Sequence, residues 1–420
     1  MSKKVLFALL SLLLIFSLAL VACQKEEAPV EEEVGEEAPP VEEEVAEEAS
    51  FQIPEVKEGM FNVAMILIGP HDDGGWSQAH YEGLVYLQEN MENVNTAYVE
   101  LVPEGADSEQ VTRSLARKGF DLIIGTSFGY MDGMETVADE FPDIMFIHVS
   151  GYKANGENFG NLMGAMEDMK YLAGVLAGAR SHQDGQTKVG YMATFPIPEE
   201  LRLGNAFALG LQEFCPECEM DVRWINTWHD PVIEKEAAAS LFDAGAYVVY
   251  TGADTPAPAD VATERGDVYG ITYDWGGSCT AERCLTTPYW KWGSVYLQIA
   301  EGVNDGTYTP GWHYFDAETG GLGLYGFMEG EEMTEGVATL DPEVIAFVRD
   351  TLDAMLAGEF TRFDVFSGEI IDNAGNVVVP AGEKMEQADL DQFPPGAEGL
   401  ECTYCMYWWN ENVTAELPEQ

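Results

Sequence analysis

From Phe61 onward, short apolar runs of β type alternate with amphipathic segments. The first run is Phe61 to Ile68, and later ones are Ala97 to Leu101, Phe120 to Gly125, Ile144 to Val149, Lys188 to Thr194, Val222 to Ile225, Tyr247 to Thr251 and Val268 to Thr272. Between them the spacing predicts helices over Gln78 to Met91, Ser108 to Lys118, Met131 to Glu140, Lys170 to Arg180, Glu199 to Phe214 and Val232 to Ala244. The last has Asp230 at the N-cap, Pro231 at the first helical position and Gly245 just past the end, where helix-terminus chemistry favours each. Near-continuous apolar strands alternating with helices predict parallel sheets covered on both faces. The Tyr171 to Ala179 run is too short to span a bilayer and reads as a buried helix packed closely on a sheet.

After Leu285 the pattern predicts a helix around Ser294 to Glu301, extended stretches at Trp312 to Phe315 and Leu322 to Gly326, and a helix from Pro342 to Ala357. Ile370-Ile371 and Val377 to Val379 flank Asp372-Asn373-Ala374-Gly375-Asn376, a hairpin signal. The 370 residues from 51 to 420 are too many for one such sheet and suit two lobes. Open α/β sheets bind ligands at the carboxyl ends of their strands, so two facing lobes enclose a cleft.

The amino end changes the picture. Lys3 and Lys4, the apolar run Val5 to Leu20 and Leu20-Val21-Ala22-Cys23 form a lipoprotein signal pattern, with residues 1–22 removed and Cys23 lipidated. Residues 23–50 read as a solvated tether: Gln24 to Ser50 holds 12 Glu and one Lys and has no aromatic residue. The expected location is outside the cytoplasm, on the membrane through the anchor. That tether and the two leader lysines leave 62 of the 74 acidic and 17 of the 20 basic residues in the folded part, a net charge of −45. Nucleic acid and anionic lipid are therefore poor partners.

Gly125-Thr126-Ser127-Phe128-Gly129 matches the G-x-S-x-G nucleophile elbow and follows a strand, which makes an exported hydrolase using Ser127 the alternative reading. It needs a later acid and then a histidine on neighbouring loops, and of His148, His182, His229 and His313 only His313 is a candidate for a strand-end loop after a suitable Asp. Gly321 to Gly326 matches G-x-G-x-x-G but opens no helix. No Walker, H-E-x-x-H or EF-hand pattern appears, so no metal or cofactor is expected. The cysteines beyond Cys23 fall into local pairs, Cys215 with Cys218, Cys279 with Cys284 and Cys402 with Cys405. Local disulfides, a zinc or redox site from the two C-x-x-C pairs, free thiols and pairing across groups all remain open.

Aromatics gather at predicted strand ends: Trp76, Phe128, Phe195, Trp228, Trp290 and Trp292. Several rings on different loops of one cleft suit a planar ligand, which they stack at little entropic cost. In Asp73-Gly74-Gly75-Trp76-Ser77-Gln78-Ala79-His80, Thr126 to Asp132, Gly190 to Glu199, Asn205-Ala206-Phe207, Asn226 to Pro231 and Asp254-Thr255-Pro256-Ala257, the chain resembles the basic-membrane-protein family. These are solute-binding lipoproteins that include purine-binding proteins of ABC importers. The resemblance runs from about Phe61 to Pro418.

The resemblance implies a type I periplasmic-binding fold, two Rossmann-like α/β lobes joined by a three-stranded hinge. The lobes are expected at 60–166 plus 275–310 and at 167–274 plus 311–420. It also implies that Asp73 accepts hydrogen bonds from the ligand, that Trp76 stacks on its base, and that Ser77 and Phe128 belong to the first-lobe binding set. Phe195 and Trp228 would line the second wall, Asp254 and Asp274 would accept hydrogen bonds from its polar edges, and Trp292 would serve as the hinge-side aromatic. Nucleoside-binding members carry a lysine near Lys291, where Trp290 competes for the slot. The implied function is capture of a purine base or nucleoside, without catalysis, for a separate ABC permease and ATPase. Sensing for a membrane receptor is a further reading of the same cleft.

Overall fold

A computed structural model describes residues 51–390 and 402–417. The signal, anchor and tether expected from sequence lie outside these residues. The folded unit contains two parallel sheets. In the first, β1 (Phe61–Ile66) lies between β2 (Val94–Val99) and β3 (Leu122–Gly125), followed outward by β4 (Met145–Val149) and β5 (Phe159–Gly164). Helices α1 (Trp76–Asn90), α2 (Ala106–Lys118) and α3 (Met131–Glu140) join the first four strands, with Gly119 in the left-handed conformation that ends α2. β1 is buried from Asn62 through Ile66, as a strand covered on both faces must be.

The chain then crosses into α4 (Met166–Gln183) and the second sheet, ordered β7-β6-β8-β9, with β6 at Lys188–Ala193, β7 at Glu219–Trp224, β8 at Val248–Thr251 and β9 at Tyr269–Ile271. Its helices are α5 (Pro198–Phe214), α6 (Pro231–Asp243) and α7 (Ala257–Arg265). Asp230 caps α6, its carboxylate accepting from the amides of Val232 and Ile233 at 3.0 Å each. α4 is buried from Met166 through Ser181. Gly174, Gly178 and Gly210 let α4 and α5 meet backbone to backbone, for a Cβ at any of them would collide with a carbonyl oxygen of the other helix. No helix among the described residues is long and apolar enough to cross a membrane.

β10 (Pro288–Trp290) brings the chain back, and α8 (Trp292–Asn304) packs on α1. β11 (Trp312–Phe315) then pairs in parallel with β5 and becomes the sixth strand of the first sheet. Sequence placed all of 311–420 in the second lobe. β11 departs from that because β5 presents an open edge, and the Ala165 amide donates to the Phe315 carbonyl at 2.8 Å. β12 (Leu322–Leu324) pairs antiparallel with β10. Three connections thus run side by side between the lobes, near Ala165, near Trp290 and between Phe315 and Leu322. The remaining chain, including α9 (Glu335–Ala338) and α10 (Pro342–Leu356), ends in a tail that docks on the second lobe. There Asn205 donates to the Trp408 carbonyl at 2.7 Å, and Trp409 is fully buried.

All six paired cysteines form the local disulfides Cys215–Cys218, Cys279–Cys284 and Cys402–Cys405. No thiolate in these pairs remains for zinc.

Candidate functional site

A cavity opens where the carboxyl ends of the two sheets face each other, the place where open α/β sheets bind their ligands. Its lining follows strand ends without exception: Ile68 and Trp76 after β1, Ser127 and Phe128 after β3, and Ser150 after β4. From the second lobe come Glu199 and Glu200 after β6, Trp228 after β7, Gly252 and Asp254 after β8, and Tyr273 and Asp274 after β9.

Trp76 opens α1 and is held in place by its own indole, which donates from Nε1 to the Thr126 carbonyl at 2.5 Å. The edges of His80, Trp290 and Trp292 meet its ring at centroid separations of 4.3, 5.9 and 5.9 Å. With one side of the indole so supported, the other is free to form cavity wall. Trp228 leans on Phe195 at 4.9 Å.

The polar groups are acidic and deeply placed. Asp254 is 3 % exposed, and its Oδ2 has no hydrogen-bond partner. Burial pushes its carboxyl well above the usual carboxylate range, and the nearby Asp73 and Asp274 charges add to this. Asp274 sits at φ +68° and accepts from Trp290 Nε1 at 2.7 Å. Burial raises its pKa too, against the pull of Lys170 and the indole bond. Burial likewise raises Glu199 to about 7. Glu200 accepts from Tyr191 Oη at 2.5 Å and from the Thr194 amide at 3.0 Å, which fixes it in place.

Behind this wall lies Lys170, fully buried on α4. Its ammonium stands 3.0 Å from the centre of the Tyr273 ring and 4.3 Å from that of Tyr250, and donates to the Thr251 carbonyl at 3.2 Å. Burial lowers its pKa to about 7, although Asp274, Glu200 and Glu199 all favour the charge. Sequence reasoning missed Lys170, Glu199 and Tyr273. The available signals were a lone lysine inside an apolar helix run, an acidic pair just after a strand, and an aromatic beside Asp274.

Of the residues expected from sequence, the structure brings Trp76, Phe128, Trp228, Asp254 and Asp274 together on the cavity. Four others stand elsewhere. Asp73 is the cap of α1: its carboxylate accepts from the amides of Gly75, Ser77 and Gln78, each at 2.9 Å. Ser77 is fully buried, and its hydroxyl accepts from the Gly69 amide. Phe195 backs Trp228 without reaching the lining. Trp292 is 1 % exposed and stacks between His80 at 4.5 Å and Trp290 at 4.7 Å, so it supports the wall from inside. Lys291 is exposed on a separate groove beside the hinge.

The elbow-like motif does not form a triad. The Ser127 hydroxyl donates to Glu104 at 2.6 Å. His148, lowered to about 4 by burial, donates from Nε2 to the Ser127 carbonyl rather than serving its hydroxyl. His313 bonds the Thr309 carbonyl at 3.0 Å.

Among the described residues, two clusters bring potential metal ligands together. In one, His182 and Glu217 stand beside Cys215, whose sulfur is committed to a disulfide. The other is Asp73, His229 and Asp254.

Two parallel-sheet lobes with a strand-end cavity and three connecting segments define a two-lobed solute-binding protein of the type I periplasmic class. Residues 60–344 match the family described as ABC transporter substrate-binding protein, PnrA-like, and the chain belongs to that family. It is a family of binding proteins, which implies a small-molecule ligand and separate permease and ATPase partners. The chain is 34 % identical over 342 residues to a putative ABC transporter glucose-binding protein of Haloferax volcanii, covering 80 % of each chain. It is 32 % identical over 337 residues to a purine-binding protein of Brucella abortus, covering 79 % of this chain and 91 % of that one. In fold it is similar to an ABC transporter solute-binding protein of Aeropyrum pernix, at a TM-score of 0.61 and 18 % identity, over 71 % of this chain and 92 % of that one.

Proposed function

We propose that the protein captures a purine nucleobase or nucleoside outside the cytoplasm, tethered through a lipid on Cys23, and delivers it to an ABC importer. The observation that carries this reading is the unpartnered, buried Asp254 Oδ2 in a cavity walled by Trp76 and Phe128 on one side and Trp228 and Tyr273 on the other. A buried acceptor left unpaired is costly, and a ligand N–H or O–H donor removes that cost. Ring faces from both lobes suit a planar heterocycle. The acidic set suits a neutral ligand and disfavours a nucleotide phosphate. The similarity to the Brucella purine-binding protein supports the same assignment.

A second reading is a neutral hexose, favoured by the similarity to the Haloferax glucose-binding protein. Aromatic faces and carboxylate acceptors also suit a sugar, whose hydroxyls would fill the acceptor set. Titrating the purified chain with adenine, guanine, hypoxanthine, their nucleosides and D-glucose, followed by tryptophan fluorescence and calorimetry, separates the two. Saturable binding of purines without glucose is expected. Glucose alone would replace the purine reading, and binding of neither would remove both while leaving the fold intact.

A further inference from the structure

We propose that Asp73, His229 and Asp254 form a site for a divalent transition-metal ion that bridges the two lobes. Asp73 belongs to the loop after β1, His229 to the loop before α6 and Asp254 to the loop after β8. One ligand atom from each lies within 4.8 Å of the others. Zinc bonds of ~2.0–2.2 Å place tetrahedral ligand atoms about 3.4 Å apart, so binding draws Asp254 and His229 in toward the fixed Asp73 carboxylate.

The cluster is more than a gathering of acids. Asp254 is 97 % buried by its 3 % exposure, and its Oδ2 lacks any partner. His229 Nδ1 is also shielded from solvent with no partner. Two of the three residues thus each keep one unsatisfied polar atom, and the third is a carboxylate. That carboxylate, Asp73, is oriented by three backbone amides, the outer support that a metal ligand needs. Asp73 and His229 also line an outer cavity, which gives an ion a path from solvent.

One imidazole with two carboxylates matches Zn²⁺ or Mn²⁺ better than Ca²⁺ or Mg²⁺, which prefer all-oxygen sets. Because Asp73 stands on one lobe and the other two ligands on the second, only the closed form offers all three. The ion therefore favours closure by its differential affinity. The ion and a solute donor would compete for the same Asp254 Oδ2, so the site is argued for the solute-free protein and does not depend on which solute binds.

The test is a calorimetric titration of the full chain with Zn²⁺, without purine or sugar, in high salt to screen the acidic surface. Saturation at a single equivalent is expected, with His229→Asn weakening it about tenfold or more. X-ray absorption at the zinc edge of the wild-type complex should show one imidazole among oxygen ligands. Absence of saturable uptake, unchanged affinity in His229→Asn, or a zinc shell of oxygen alone would each overturn the site. The solute titration is separate, so failure here leaves the solute reading untouched.

Discussion

Trp76 shows how one side chain serves both core and cavity. Its indole N–H is spent on the Thr126 carbonyl and neighbouring rings pack against it at steep angles, so its contribution to a ligand is stacking alone. Stacking on an aromatic is worth ~1–3 kcal/mol per base. Trp76→Ala is therefore expected to weaken a purine roughly 5- to 150-fold, measured by calorimetry, and undiminished affinity would place the base elsewhere. Lys170 makes a different prediction. Its pKa falls from 10.5 to about 7, so between those values the unfolded chain holds a proton that the folded protein lacks. Stability of the ligand-free protein should therefore rise with pH across this window, and the charged-state penalty is fully present below about 7. Lys170→Met removes the penalty, on the order of a few kcal/mol. The variant's advantage in thermal stability should shrink from pH 7 toward pH 10, and a pH-independent difference would show that Lys170 is not the titrating group.

Most elements were legible because their signals are local. Asp230, Pro231 and Gly245 marked both ends of α6, and the apolar run of β1 marked a strand buried on both faces. β5 carried no such signal: Phe159-Gly160-Asn161-Leu162-Met163-Gly164 mixes two glycines with an asparagine. Asn161 is tolerated in the buried sheet because its amide donates to His148 Nδ1 at 2.9 Å, a partner 13 residues away. α7 was hidden by Pro256 and Pro258, which read as loop but occupy the helix start, where a missing N–H costs nothing. For the site, strand-end aromatics could be found from sequence, whereas the capping role of Asp73 and the interior position of Trp292 depend on packing that no local pattern encodes. The cysteines bear a prediction at this scale. Cys402 and Cys405 are partly exposed, yet their disulfide should block thiol labelling until a reductant is added. Labelling of the untreated protein would refute that pairing.

Across the molecule, the two lobes touch at a position that tolerates no side chain. A Cβ on Gly75, at the start of α1, would collide with the carbonyl oxygen of Asp254 in the second lobe. Gly75 sits at φ −147° and ψ −119°, outside the regions that L-residues favour, so alanine meets backbone strain as well as this contact. Gly75→Ala should hold the lobes apart while leaving each intact. Ligand affinity should then drop, and the compaction that ligand produces in small-angle scattering should disappear, with the free protein somewhat less stable to heat because of the strain at Gly75. Normal compaction in this variant would mean that closure does not require the approach of α1 to Asp254.

The first sheet is not finished where its first five strands end. β11, at its edge, and α8, against α1, arrive only after the whole second sheet has been laid down. A chain cut anywhere before Trp312 therefore leaves β5 with an unpaired edge, a template for association with other chains. The same topology governs how such proteins can be recombined: no single crossover exchanges one lobe for another, since the boundary is cut three times. A new solute preference is reached more readily by altering strand-end loops one at a time than by importing half of a relative.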